Sequence, residues 1–165
     1  MKKYIIRIIS IICLILTFFV IFNFSSQDGE ISGGLSRNIS TEIIELYDFK
    51  GNLNFEEKKE KVDIIEPIIR KLAHLSIYTV VGICLMSLLY TYNMKFKNRI
   101  ILGSLIGMIY AISDEIHQSF TPGRGPAIVD VCIDTIGVAI GLFIVCLIIN
   151  IYNKVNKRNI VIEWK

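Results

Sequence analysis

Four apolar runs limit what this chain can fold into. They cover roughly residues 4–24, 72–92, 100–120 and 128–152. Each is close to the ~20 residues that a helix needs to cross a bilayer core. Hydrophobic residues make up 53% of the 165, and the mean hydropathy is +0.55, too apolar for an ordinary soluble domain of this size. A lipid-exposed span must satisfy its own backbone, and helices do this within one segment. The expected fold is therefore all-α: a polytopic membrane protein with four transmembrane helices. The bundle would occupy residues 1–152, followed by a cytoplasmic basic tail over 153–165.

Charge orients the bundle. Lys2, Lys3 and Arg7 precede the first run, Lys95, Lys97 and Arg99 lie between the second and third, and Lys154, Lys157, Arg158 and Lys165 follow the fourth. These ten bases share their three segments with a single acid, Glu163. The opposite side carries fourteen of the fifteen acids and eight bases. The positive-inside rule then places both termini in the cytoplasm. The net charge of +3 is a difference between two unlike faces and not a nucleic-acid footprint. The first run has a basic start, but Phe22-Asn23-Phe24-Ser25-Ser26 offers no small-x-small cleavage site, so it reads as an uncleaved span. Cys13, Cys84, Cys132 and Cys146 lie inside apolar runs with no metal or redox spacing, and read as small buried residues.

The extracellular segment is residues 25–66. Leu35, Ile39, Ile43 and Leu46 recur at helical spacing, with Ser36 as a candidate N-cap. This predicts an outer amphipathic helix that lies on the membrane face or caps the bundle. Residues 49–54 read as a loop and 55–66 as a charged helix. Glu66-Pro67 resembles a further helix start. Phe120-Thr121-Pro122-Gly123-Arg124-Gly125-Pro126 predicts a constrained turn, with Pro-Gly favouring type II.

Ionisable residues crowd the outer ends of three spans. Residues four apart share a helix face. Arg70, His74, Tyr78 and Gly82 form one stripe; Gly103, Gly107, Tyr110, Asp114 and Gln118 a second; Asp130, Asp134, Gly137 and Gly141 a third. The glycine pairs at four-residue spacing allow close helix approach, which would gather the polar ends. At 1.5 Å per residue, Asp114 stands about 22 Å above the inner boundary, and His74 and Asp134 stand about 28–29 Å above it. The cluster would thus face outward at headgroup depth. It comprises Arg70, Lys71, His74, Tyr78, Asp114, Glu115, Gln118, Arg124, Asp130 and Asp134, with His117 nearby.

Three readings of the cluster stay open. Buried charges must be paired, so a self-satisfied ion-pair network accounts for these residue types. Ionisable groups at membrane depth also mark binding sites and ion paths. Arg124 at the mouth suits a phosphate or carboxylate, or pairs with Glu115 or Asp130. Asp114, Glu115, His117, Asp130 and Asp134 are types that metals accept, but their spacing matches no known cage, so no metal or other cofactor is assigned. No serine sits in a nucleophile elbow, and catalytic residues stay unassigned.

These residues carry a resemblance. Lys71-x-x-His74-x-x-x-Tyr78, then Ser113-Asp114-Glu115-x-x-Gln118-x-Phe120-x-Pro122-x-Arg124, then Asp130-x-x-x-Asp134-x-x-Gly137-x-x-x-Gly141, resembles the VanZ-like membrane proteins. The Ser25-Ser26-Gln27 exit is similar to theirs. The resemblance implies a small plasma-membrane protein of Gram-positive envelopes, linked to low-level resistance to teicoplanin-type lipoglycopeptides, with no reaction assigned. Ile77 stands where many relatives carry an acid, and Asp134 where asparagine is common. The expected partners are membrane lipids or a lipid-linked cell-wall component, and not nucleic acid; self-association stays open. An enzyme acting on a phosphate-bearing lipid, with Glu115 or His117 as base, is the alternative. A small transporter is the second alternative.

Overall fold

A computed structural model describes residues 2–156. Within it the chain forms five helices and no strand: α1 (Lys2–Ser25), α2 (Gly29–Tyr47), α3 (Phe55–Leu89), α4 (Phe96–Ser119) and α5 (Ile128–Asn156). Four of them, α1, α3, α4 and α5, are long and apolar enough to cross a membrane. Lys157, Arg158, Glu163 and Lys165 of the basic tail lie outside the described residues.

The long helix α3 touches all the others, and its main partner is α5. Glycine explains the closeness of that pair. A Cβ added at Gly137 would stand 2.6 Å from the carbonyl oxygen of Leu75. One at Gly141 would collide with the carbonyl of Thr79, and one at Gly82 with that of Val138. The α3 and α5 backbones therefore meet directly, as small residues at four-residue spacing permit. The other glycine pair behaves differently. Gly103 and Gly107 receive the side chains of Leu142 and Val138. Tyr78, Val81, Leu85, Met86, Ala111, Val138 and Leu142 fill the core between these helices.

Two local expectations are corrected. Pro67 does not start a helix but lies inside α3. The start is Asn54, three turns earlier, where a capping box joins Asn54 Oδ1 to the Glu57 amide at 2.9 Å and Glu57 Oε2 to the Asn54 amide at 2.8 Å. Proline removes the bond to the carbonyl four residues back. That residue, Asp63, is exposed, so water can take the donor's place. Ser36, in turn, is not an N-cap; Asp28 precedes α2 and Ser36 sits mid-helix. Ser36, Ser40 and Ile44 form the buried face of α2, while Leu35, Ile39, Ile43 and Leu46 stay exposed. Small serines let α2 settle closely on α3, and their hydroxyls are satisfied. Ser40 bonds the Ser36 carbonyl at 2.8 Å, and Ser36 bonds Glu66 Oε1 at 2.8 Å. The apolar stripe is thereby turned outward, as a helix lying at a membrane face requires.

The α2–α3 loop is pinned by Asp48. Its Oδ1 accepts the Asn52 and Leu53 amides at 2.7 and 3.3 Å, and Lys58 Nζ lies 2.8 Å from Oδ2. Lys58 and these amides hold the carboxyl below its ordinary range.

The four spans alternate in direction, so the two ends of the bundle differ in chemistry. One end gathers Arg7, bonded to Thr91 at 3.0 Å, and Arg99, stacked over Tyr90 at 4.5 Å. The other gathers the acid-bearing ends of α4 and α5 with the middle of α3.

Candidate functional site

Three helices and a turn supply the second end. Arg70, Lys71, His74 and Tyr78 project from successive turns of α3, Asp114, Glu115 and Gln118 from the last turns of α4, and Asp130 and Asp134 from the start of α5. The turn between α4 and α5 adopts the predicted type II geometry. The Arg124 amide bonds the Thr121 carbonyl at 3.2 Å, and Gly123 takes φ +74°. The turn is docked on the start of α2, where the Gly29 amide bonds the Pro122 carbonyl at 3.1 Å. A Cβ at Gly29 would stand 2.8 Å from the Gly123 oxygen, so only glycine allows this approach.

A chain of hydrogen bonds runs inward from the turn. Arg124 Nη1 donates to Gln118 Oε1 at 3.3 Å. Gln118 Nε2 donates to Asp114 Oδ2 at 2.9 Å and to Ser25 Oγ at 3.3 Å. Tyr78, fully buried, donates to the same Asp114 oxygen at 3.1 Å. Across from it, His74 Nδ1 lies 3.5 Å from Asp134 Oδ1. Asp114, Glu115, Gln118 and Asp134 are all buried. The ligand atoms of His74, Asp114 and Asp134 lie within 4.8 Å of one another, a spacing at which, among the described residues, these three could hold a metal ion.

Two partnerships differ from expectation. Arg124 binds Gln118; among the described residues it is in ion-pair range of neither Glu115 nor Asp130. Glu115 Oε1 instead accepts the Ala127 amide and braces the start of α5. His117 also leaves the cluster. It stacks on Phe22 with centroids 4.6 Å apart and meets Ser26 Oγ at 2.9 Å, against α1. Sequence reasoning missed Glu66, which joins Ser36 of α2 to Arg70, 3.6 Å away. Its four-residue spacing from Arg70 was the available signal.

Two cavities meet here. A polar one of about 250 Å³ is lined by Arg70, Lys71, His74, Gln118, Arg124, Asp130 and Asp134. An apolar groove of about 180 Å³ runs beside it between α1, α2 and α3, along Ile21, Phe24, Leu35, Ile39, Ile69 and Ile77. Both include Arg70, His74 and Arg124. Tyr78, Asp114 and Glu115 lie outside the polar cavity's lining. The two guanidiniums are close enough to act on one another. Burial, then Arg70, lowers the Arg124 pKa from its ordinary value. Two guanidiniums so placed suit an anionic oxygen group.

The VanZ/LLP1 family model matches residues 10–150. No curated protein and no solved structure matches the chain.

Proposed function

The chain belongs to the VanZ/LLP1 family of membrane proteins, and we propose that it binds the phosphate-bearing headgroup of a membrane lipid or lipid-linked envelope component. Arg70 and Arg124 clamp the phosphate, Lys71 stands at the rim, and the tail lies in the groove along Leu35 and Ile39. The observation that carries this reading is the junction of the two cavities at Arg70, His74 and Arg124. A polar chamber that opens onto an apolar channel fits an amphiphile and fits neither a sugar nor a free anion as well. In this reading the protein sits in a bacterial plasma membrane with both termini inside, and the site lies in the outer leaflet.

Native mass spectrometry of the gently extracted protein tests this. We expect a retained anionic lipid in the wild type and its loss in Arg70→Gln/Arg124→Gln, with the helical content unchanged. Equal lipid retention in both proteins would refute the clamp. The resemblance adds a phenotype. Expression in a susceptible Gram-positive host should raise tolerance to teicoplanin, whose acyl tail seeks the lipid interface, more than to vancomycin, which has none. Buried tails gain about 0.8 kcal/mol per methylene, so an interfacial change reaches the tailed drug first. Equal shifts for the two drugs would point away from the interface.

A further inference from the structure

We propose that His74, Asp114 and Asp134 bind one divalent transition-metal cation of the zinc or manganese kind. The three donors come from three different helices, α3, α4 and α5, and their ligand atoms lie within 4.8 Å of one another. The inference goes beyond lipid binding and stands on residues that the headgroup reading does not use as its clamp.

Separation of the donors is the first argument. His74 Nδ1 and Asp134 Oδ1 are 3.5 Å apart. That is longer than the 2.7–3.2 Å of an N–H···O hydrogen bond. Neither atom has a hydrogen-bond partner, although the Asp134 side chain is only 2% exposed. Buried carboxylate oxygens are not left this way without a reason. Two ligands each about 2.1 Å from a tetrahedral cation stand about 3.4 Å apart. The gap is longer than a well-made hydrogen bond and matches the spacing of two ligands on one ion.

Orientation is the second argument. Metal-bound carboxylates are characteristically held by hydrogen bonds from an outer layer. Tyr78 and Gln118 both donate to Oδ2 of Asp114. That layer is itself anchored, because Gln118 is held by Arg124.

Charge is the third. Among the described residues, neither Asp114 nor Asp134 lies in ion-pair range of a lysine or arginine. Arg70 is engaged with Glu66 and Arg124 with Gln118. Two carboxylates, a neutral imidazole and a dication sum to zero, whereas an imidazolium alone would balance Asp134 and leave the Asp114 charge unmatched. An imidazole with carboxylates suits zinc and manganese better than magnesium or calcium. His74 and Asp134 also line the polar cavity, so an ion between them has its open side toward that space.

The test is metal content and stability of the full-length protein in mild detergent. Purified without chelator and then dialysed against zinc or manganese, the wild type should hold about one equivalent per chain and lose thermal stability on treatment with EDTA. Asp134→Asn and His74→Ala should each lower bound metal at least about tenfold, whereas His117→Ala, outside the triad, should keep it. If the asparagine variant fails to fold, His74→Ala and the EDTA response of the wild type decide alone. A wild type holding under about 0.1 equivalent, with a melting temperature indifferent to zinc, manganese and EDTA, overturns the proposal and leaves an imidazolium–carboxylate pair. Undiminished metal in both triad variants overturns it as well. Lipid retention on the same samples is a separate readout, so either reading can fail without the other.

Discussion

Tyr78 holds Asp114 across the α3–α4 interface, hydroxyl to Oδ2, at 3.1 Å, and the tyrosine is fully buried. The bond joins the middle of one span to the acid-bearing end of another. Removing it should be felt in stability. Tyr78→Phe keeps the ring and leaves a buried acceptor short of one donor, at a cost of about 1–3 kcal/mol. We expect a lower melting temperature in detergent, with Gln118 still holding the same oxygen. An unchanged melting temperature would mean that the bond is replaced by water.

The glycine seam makes a second prediction. Gly141→Ala drives a methyl into the Thr79 carbonyl, a backbone atom that cannot step aside. Overpacking of a closed interface costs about 1–3 kcal/mol, and more where backbone is struck. Gly33 of α2 meets nothing within 4 Å. There, Gly33→Ala should stabilise by about 0.5–1 kcal/mol, the ordinary helix gain. Thermal unfolding of the two variants side by side checks the contrast, and similar behaviour would contradict the backbone contact.

Asp48 predicts a pH effect outside the spans. Its folded pKa is depressed, chiefly by Lys58. A depressed carboxyl stabilises the fold above the unfolded value and loses that contribution as pH falls through the folded one. Asp48→Ala should therefore melt below the wild type at neutral pH, and the gap should begin to narrow near about pH 4 and vanish as pH falls through the lower folded value. In the variant, the Asn52 and Leu53 amides should exchange faster at neutral pH. A gap independent of pH would show that packing, not charge, is responsible.

Orientation is testable directly. A reporter fused after Asn52 should signal from outside and one fused after Lys97 from inside, as the distribution of bases requires. Reversed signals would put the two cavities on the cytoplasmic leaflet and change which lipids can reach them.

The spans were legible because length and apolarity alone define them, and the three polar stripes fell on the correct helix faces because four-residue spacing is geometric. The Pro122-Gly123 turn was legible for a similar local reason. Pro67 misled because a helix whose unbonded carbonyl belongs to an exposed residue, Asp63, tolerates proline in its interior. Ser36 misled because serine serves equally as a cap and as a small packing surface. That His74, Asp114 and Asp134 belong to one outer polar cluster was legible from stripe and depth, but the convergence of their ligand atoms within 4.8 Å was not. They sit on three helices, and only the rotation and depth of each helix brings them together. His117, one turn from Asp114, was expected near the cluster, yet α4 turns that ring toward Phe22 and Ser26.

The direct α3–α5 backbone contact has a consequence for ion choice. His74 adjoins Leu75, whose carbonyl faces Gly137, and Asp134 lies three residues before that glycine. If these two residues share the proposed ion, their backbones are held in register by main-chain contact rather than by side-chain packing alone. Side chains can repack to admit a wider ion, but two abutting backbones cannot part without losing the seam along its length. Size discrimination at this position would therefore survive changes in the surrounding core, and altering Gly137 would change it most.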